Sequence, residues 1–129
     1  MTASAWMALW VALGGATGAV LRYVLDQRVQ RATGSAFPWG TLTVNLVGSA
    51  LLGLLTGWSV ATGGTDTARA LLGTGLAGAL TTFSTFGYET VRLVTERAHL
   101  YAVANVVLTV LAGFGAAGGG IALALGVWS

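Results

Sequence analysis

The reactive chemistry of this sequence is concentrated in one short stretch, Gly78-Ala-Leu-Thr-Thr-Phe-Ser-Thr-Phe86, where Thr81, Thr82, Ser84 and Thr85 crowd around Phe83 and Phe86. Hydroxyls at this density bond to backbone and compete with helical hydrogen bonds, and Gly75 and Gly78 weaken the helix just before them. A local unwinding near Gly78 to Thr82 is expected, with exposed carbonyls able to hold a hard cation such as Na⁺. Phe83 and Phe86 stand at i and i+3, so their rings share a face. They either pack as ordinary apolar residues or turn their positive ring edges toward an anion. Glu89 follows on the face of Thr82 and Thr85, and reads either as an interfacial carboxylate or as the end of the same polar strip.

Further polar groups recur at helical spacing. Asn45, Ser49 and Thr56 stand at i, i+4 and i+11, and Asn105 and Thr109 at i and i+4, so each set occupies one helical face. The two asparagines supply neutral amide donors in otherwise apolar surroundings. No Arg or Lys lies in the middle of an apolar interval, and neutral donors suit a conducted anion, which must not be held too tightly. Enzyme chemistry finds little support. The chain has no cysteine and a single histidine, His99, in a charged segment, which removes thiolate catalysis, disulfides and the common metal-hydrolase sites.

The elements that position these residues follow from the charges. Only six basic and four acidic side chains occur in 129 residues, 55% of which are hydrophobic, and the mean hydropathy is +0.79. The charges form three clusters: Arg22 to Arg31, Asp66 with Arg69, and Glu89 to Arg97. The intervals between them are long enough for helices of about 20 residues to cross hydrocarbon. The pattern predicts an all-α membrane protein, a single transmembrane domain over residues 1–129, with helices near 4–25, 40–61, 70–91 and 100–125 and the third broken near its middle. Pro38 suits the start of the second helix and Gly63-Gly64 its end. The first interval lacks the basic residue that precedes the apolar run of a signal peptide. The arginines are placed for phospholipid headgroups rather than for nucleic acid. Twenty glycines, including Gly14, Gly18, Gly48, Gly53, Gly57, Gly73 and Gly75, allow helix backbones to approach closely. Four tightly packed helices enclose little space for a water-filled route, so a further chain is expected to complete one.

Three segments carry a resemblance to a known family: Gly14-Gly-Ala-Thr-Gly-Ala-Val-Leu-Arg-Tyr23, Pro38-Trp-Gly-Thr-Leu-Thr-Val-Asn-Leu-Val-Gly48, and Gly78 to Phe86 with Glu89. Over essentially its whole length the chain resembles the Fluc fluoride channels, also called CrcB proteins. The resemblance implies a passive channel in a bacterial plasma membrane that exports toxic cytoplasmic fluoride, built as a dual-topology dimer of two antiparallel copies with two pores. It implies an ion pathway lined by Asn45, Phe83, Phe86, Asn105 and Thr109, with Thr82, Ser84, Thr85 and Glu89 along or beside it. It also implies a structural Na⁺ at the dimer centre, held by main-chain oxygens of Gly78 and Thr81.

One feature departs from the family pattern. Alternating spans put Arg22, Arg28, Arg31, Arg92 and Arg97 on one membrane face and Arg69 on the other. Insertion in both orientations requires little such bias, so a fixed orientation and an oppositely oriented paralogous partner are the alternative to a homodimer. Two other classes fit the sequence less well. Small four-helix multidrug exporters need a membrane-embedded carboxylate in the first span, which is lacking here. A purely structural subunit would account for the glycines but not for two asparagines and a hydroxyl-rich break.

Overall fold

The computed structural model describes residues 2–129, and all regular structure among them is helical. Helix α1 spans Ala3–Thr33 and α2 spans Trp39–Thr62. A third rod, α3, joins an α-turn at Asp66–Ala68, a π-helical stretch at Arg69–Ala77 and an α-turn at Gly78–Leu80. Helix α4 covers Ser84–Thr95 and α5 covers His99–Trp128. Among the described residues α1, α2 and α5 are each long and apolar enough to cross a membrane. The third span is α3 and α4 together, interrupted at residues 81–83. This is the fold of a multi-pass membrane protein.

Three boundaries differ from expectation. The first helix continues to Thr33 rather than ending near residue 25, because nothing in its charged extension breaks a helix before Gly34. That glycine takes φ +56° and its N–H bonds to the Gln30 carbonyl at 3.0 Å, closing α1 with a left-handed cap. The third span is longer than the expected 70–91, and it comes in two pieces as expected. Its break lies at the end of the predicted Gly78 to Thr82 interval: Gly78 is still helical, and Thr81 is the residue that turns extended, with ψ 155°. The fourth helix runs on past Gly126 to Trp128, since no proline or charge stops it after residue 125. The signals at the ends of α2 hold: Pro38 precedes its first turn, and Gly63, at φ +84°, bonds to the Ser59 carbonyl at 2.8 Å.

Close backbone approach holds the bundle together. A Cβ on Gly53 would run into the Ala117 carbonyl, and one on Gly57 would stand 2.7 Å from Ala124 Cβ and from the Ile121 carbonyl. The constant offset from Gly53–Ala117 to Gly57–Ile121 means that α2 and α5 run parallel. Helices α1 and α3 also run parallel: Gly14 and Gly18 lie on the backbone of Leu71 and Leu76, and a Cβ on Gly75 would be 2.7 Å from the Val11 carbonyl. In hydrocarbon, where apolar side chains gain little from leaving lipid, such contacts are what van der Waals packing between helices requires. The π-helical stretch sits in this contact. The N–H of Gly78 bonds five residues back to the Gly73 carbonyl, the wider turn of a π-helix.

Parallel odd and parallel even spans fix the faces. Loops 34–38 and 96–98 lie at one end of the bundle. The 63–65 loop lies at the other, together with the beginning of α1 and the end of α5.

Candidate functional site

The break in the third span is held open by α2. Asn45 Oδ1 accepts the Thr82 N–H at 2.7 Å while its Nδ2 donates to the Thr82 carbonyl at 3.1 Å. One side chain thus satisfies both backbone groups of a buried residue that the helix has released. An amide carries two N–H donors, so one is left on Asn45 after this pairing. Thr82 serves the other side of the break: its Oγ1 accepts the Thr85 N–H at 3.2 Å and caps α4. Thr81 turns back, donating its hydroxyl to the Ala77 carbonyl at 3.0 Å, and among the described residues its own carbonyl accepts no hydrogen bond. The unwinding read from Gly78 and the hydroxyls therefore has a specific bracket, Asn45, that spacing alone did not connect to it.

This break opens onto a groove of about 510 Å³ between α2, α3 and α5. Asn45, Thr82, Phe83, Phe86 and Thr109 line it, and Gly78 and Thr81 border it. The rings of Phe83 and Phe86 have centroids 6.0 Å apart at 49°. Phe83 is 84% exposed in the single chain, so it does not serve this chain's own core. The Thr109 hydroxyl is buried without a partner, on a residue that lines the groove. Ser49 and Phe114 also line the groove. Ser49 shares the helical face of Asn45, whereas no spacing signal marks Phe114.

Other expected pathway residues lie elsewhere. Asn105 is fully buried and belongs to the α4–α5 contact: its Nδ2 donates to Thr90 Oγ1 at 2.9 Å, and that hydroxyl donates to the Phe86 carbonyl at 2.8 Å. It stands behind the groove and braces the backbone of one of its phenylalanines. Ser84 is exposed, 3.5 Å from Thr82 Oγ1, and lines neither cavity.

Thr85 and Glu89 line a second, polar cavity of about 320 Å³ toward the 34–38 loop, with Asp26, Gln30, Tyr88 and Arg92. There Glu89 accepts a hydrogen bond from the Thr41 hydroxyl. Gln30 staples the wall, donating to the carbonyls of Ser35 at 2.8 Å and Phe37 at 3.0 Å while its Oε1 accepts the Gly40 N–H at 3.0 Å. It satisfies one of the orphan donors at the start of α2. Gln30 carries no signal of this role in the sequence, where the charges around it read as a loop.

The electrostatics of the two spaces differ. The groove is lined by amide, hydroxyl and aromatic groups and no formal charge, whereas the cavity above it holds two carboxylates and two guanidiniums. Among the described residues no group of three or more His, Cys, Asp and Glu could hold a metal ion. The oxygens at the break are main-chain carbonyls and the hydroxyls of Thr81, Thr82 and Ser84.

Residues 9–121 match the family described as CrcB-like protein, Camphor Resistance (CrcB). The protein named Fluoride-specific ion channel FluC 1 of Streptomyces avermitilis is 49% identical over 121 residues, which cover 94% of this chain and 98% of that protein. Its namesake from Frankia casuarinae is 50% identical over 125 residues, covering 93% and 97%. Fluoride-specific ion channel FluC 2 of Mycobacterium tuberculosis is 46% identical over 121 residues, covering 91% and 93%.

Proposed function

The chain belongs to the CrcB-like family, and from that premise we propose that it is a fluoride-selective channel, not an enzyme, that lets cytoplasmic fluoride leave the cell passively. Its relatives' names supply the ion. The observation that carries the reading in this chain is the uncharged groove at the Asn45–Thr82 bracket. A small anion entering it loses water and gains the spare N–H of Asn45, the hydroxyl of Thr109 and the ring edges of Phe83 and Phe86. Each is a neutral donor or partial charge, so the exchange stabilises the dehydrated ion without trapping it. Fluoride, the smallest and most strongly accepting halide, gains most from such donors. The polar cavity with Thr85 and Glu89 acts as the antechamber, and Ser84 and Asn105 support the route from behind.

The same groove is half of an enclosure. Phe83 is turned outward, and Gly78 and Thr81 border an open side. The unpaired Thr81 carbonyl suits a hard cation, but such an ion gathers more oxygens than the two residues of one chain offer. A structural Na⁺ held by the Gly78 and Thr81 carbonyls therefore fits best where a second, antiparallel chain brings its own pair. When bound it would supply a positive charge that ties the two breaks together. The partner is another copy in dual topology or, given five arginines at one end and Arg69 at the other, an oppositely oriented paralogous chain.

Purified protein in liposomes tests the function. Loaded vesicles should release fluoride down its gradient and retain chloride; equal release of both ions, or of neither, refutes the reading. Tags on each terminus, probed in intact cells, separate the partners. Equal populations in both orientations support the homodimer, and a single orientation supports the paralogous chain.

A further inference from the structure

The groove does not end at the break. Along α2 and α3 it adjoins another cavity, of about 610 Å³, and the two share Leu52 and Gly73 as common wall. This lower cavity opens at the end of the bundle opposite the polar cavity of Glu89 and Arg92. Its wall carries Thr56, Thr74, Ser59 and Arg69. The Ser59 hydroxyl is buried and has no hydrogen-bond partner. Gly64 lets the loop close against it: at φ +61° a Cβ there would stand 2.8 Å from Ser59 Oγ and 2.9 Å from Arg69 Nη1, so only the missing side chain lets backbone, hydroxyl and guanidinium approach this closely. Arg69 is the basic side chain of this end of the bundle. It is held in place by the Gly63 carbonyl at 3.1 Å and by Asp66 at 2.7 Å.

We infer that this cavity is the second mouth of the anion route, a small-anion site in which Arg69 draws the ion in and Ser59, with Thr74, supplies hydroxyl donors in place of water. The inference rests on the channel reading, since it makes the lower cavity the continuation of the conducting groove. A cleft lined by one sign of charge concentrates counter-ions at its opening, and the effect fades as salt screens it. Asp66 works against Arg69. Its carboxylate is 80% exposed beside a guanidinium that is 46% exposed, and it subtracts from the field an approaching anion meets. The arrangement therefore makes opposite predictions for the two members of one ion pair. A salt bridge that merely capped α2 and α3 would make the same prediction for both.

The test is initial fluoride efflux from liposomes of neutral lipid, at sub-saturating fluoride, in low salt and again in high concentrations of a salt whose anion does not permeate. Arg69→Gln should lower efflux about three- to tenfold in low salt, and the difference should shrink in high salt. Arg69→Lys should keep most of the wild-type rate, and Asp66→Asn should raise it. Ser59→Ala should lower efflux at both ionic strengths. Wild-type rates in both Arg69→Gln and Asp66→Asn, losses in both, or a loss that ignores salt would overturn the proposal. So would an Arg69 effect that appears only with anionic lipid, which would make Arg69 a headgroup contact. Should Arg69→Gln fail to assemble on size exclusion, the direction of the Asp66→Asn change decides. A wild-type protein that passes no fluoride defeats the channel reading itself and is recognised before any variant is compared.

Discussion

Replacing Asn45 with leucine is expected to lower fluoride efflux by about a hundredfold or more, the largest loss from any single substitution in the groove. Asn45 serves the Thr82 N–H and carbonyl at once, and Thr82 is buried. An unsatisfied buried donor or acceptor costs about 1–3 kcal/mol, so leucine would leave two such groups in an apolar site. The break would escape that cost by re-forming helix and closing the groove. Asn45→Asp separates structure from conduction. The carboxylate can still accept the Thr82 N–H, but it cannot donate to the carbonyl, and it sets a negative charge on the anion's path. Efflux should be lost in both variants, while the aspartate chain should retain more of its thermal stability in detergent. Full efflux in Asn45→Leu would remove Asn45 from both roles.

The second large effect is expected at the phenylalanines. Phe83→Ala and Phe86→Ala should each reduce efflux at least about tenfold while size exclusion still shows the assembled protein. Phe83, 84% exposed in the single chain, contributes little to this chain's own packing, so truncating it does not threaten the fold. Leucine at the same positions decides what the rings do. It restores apolar bulk but has no quadrupole, and a ring edge interacts with an anion only through that quadrupole. If Phe83→Leu and Phe86→Leu are as impaired as the alanine variants, the rings act electrostatically. If leucine recovers the wild-type rate, they are walls. Asn105→Ala, by removing the support that reaches Phe86 through Thr90, should give a milder loss in the same direction.

How far the sequence led to this account depends on whether a property is local. The four spans were legible because charge is expensive in hydrocarbon, so the three charge clusters mark where the chain leaves it. The stop at Gly63 and the start after Pro38 were legible because each residue constrains its own backbone. The break was legible as a weakness, since glycines and hydroxyls undermine helical bonding from within.

What was not legible depended on partners. Helical spacing gave Asn45 and Asn105 a face each but not a neighbour, and the two turned out to do different work. Asn45 holds the Thr82 backbone at the groove, and Asn105 holds Thr90 behind it. Thr85 and Glu89 share a face with Thr82, yet the break sends them into a separate cavity. The extension of α1 to Thr33 is not legible in the charges, which mark where a helix leaves the apolar layer and not where it ends. The π-helical stretch Arg69–Ala77 arises where α3 presses on α1, and the residues of α3 alone do not announce it.

One uncharged groove, bracketed by Asn45 and edged by phenylalanine rings, is proposed to conduct fluoride and reject larger halides. A planar bilayer holding the purified protein, with fluoride on one side and chloride on the other, tests it most directly through the voltage at which current reverses. The reversal potential should follow the fluoride gradient alone and not move when chloride is changed. A reversal potential that shifts with chloride as it does with fluoride would contradict it.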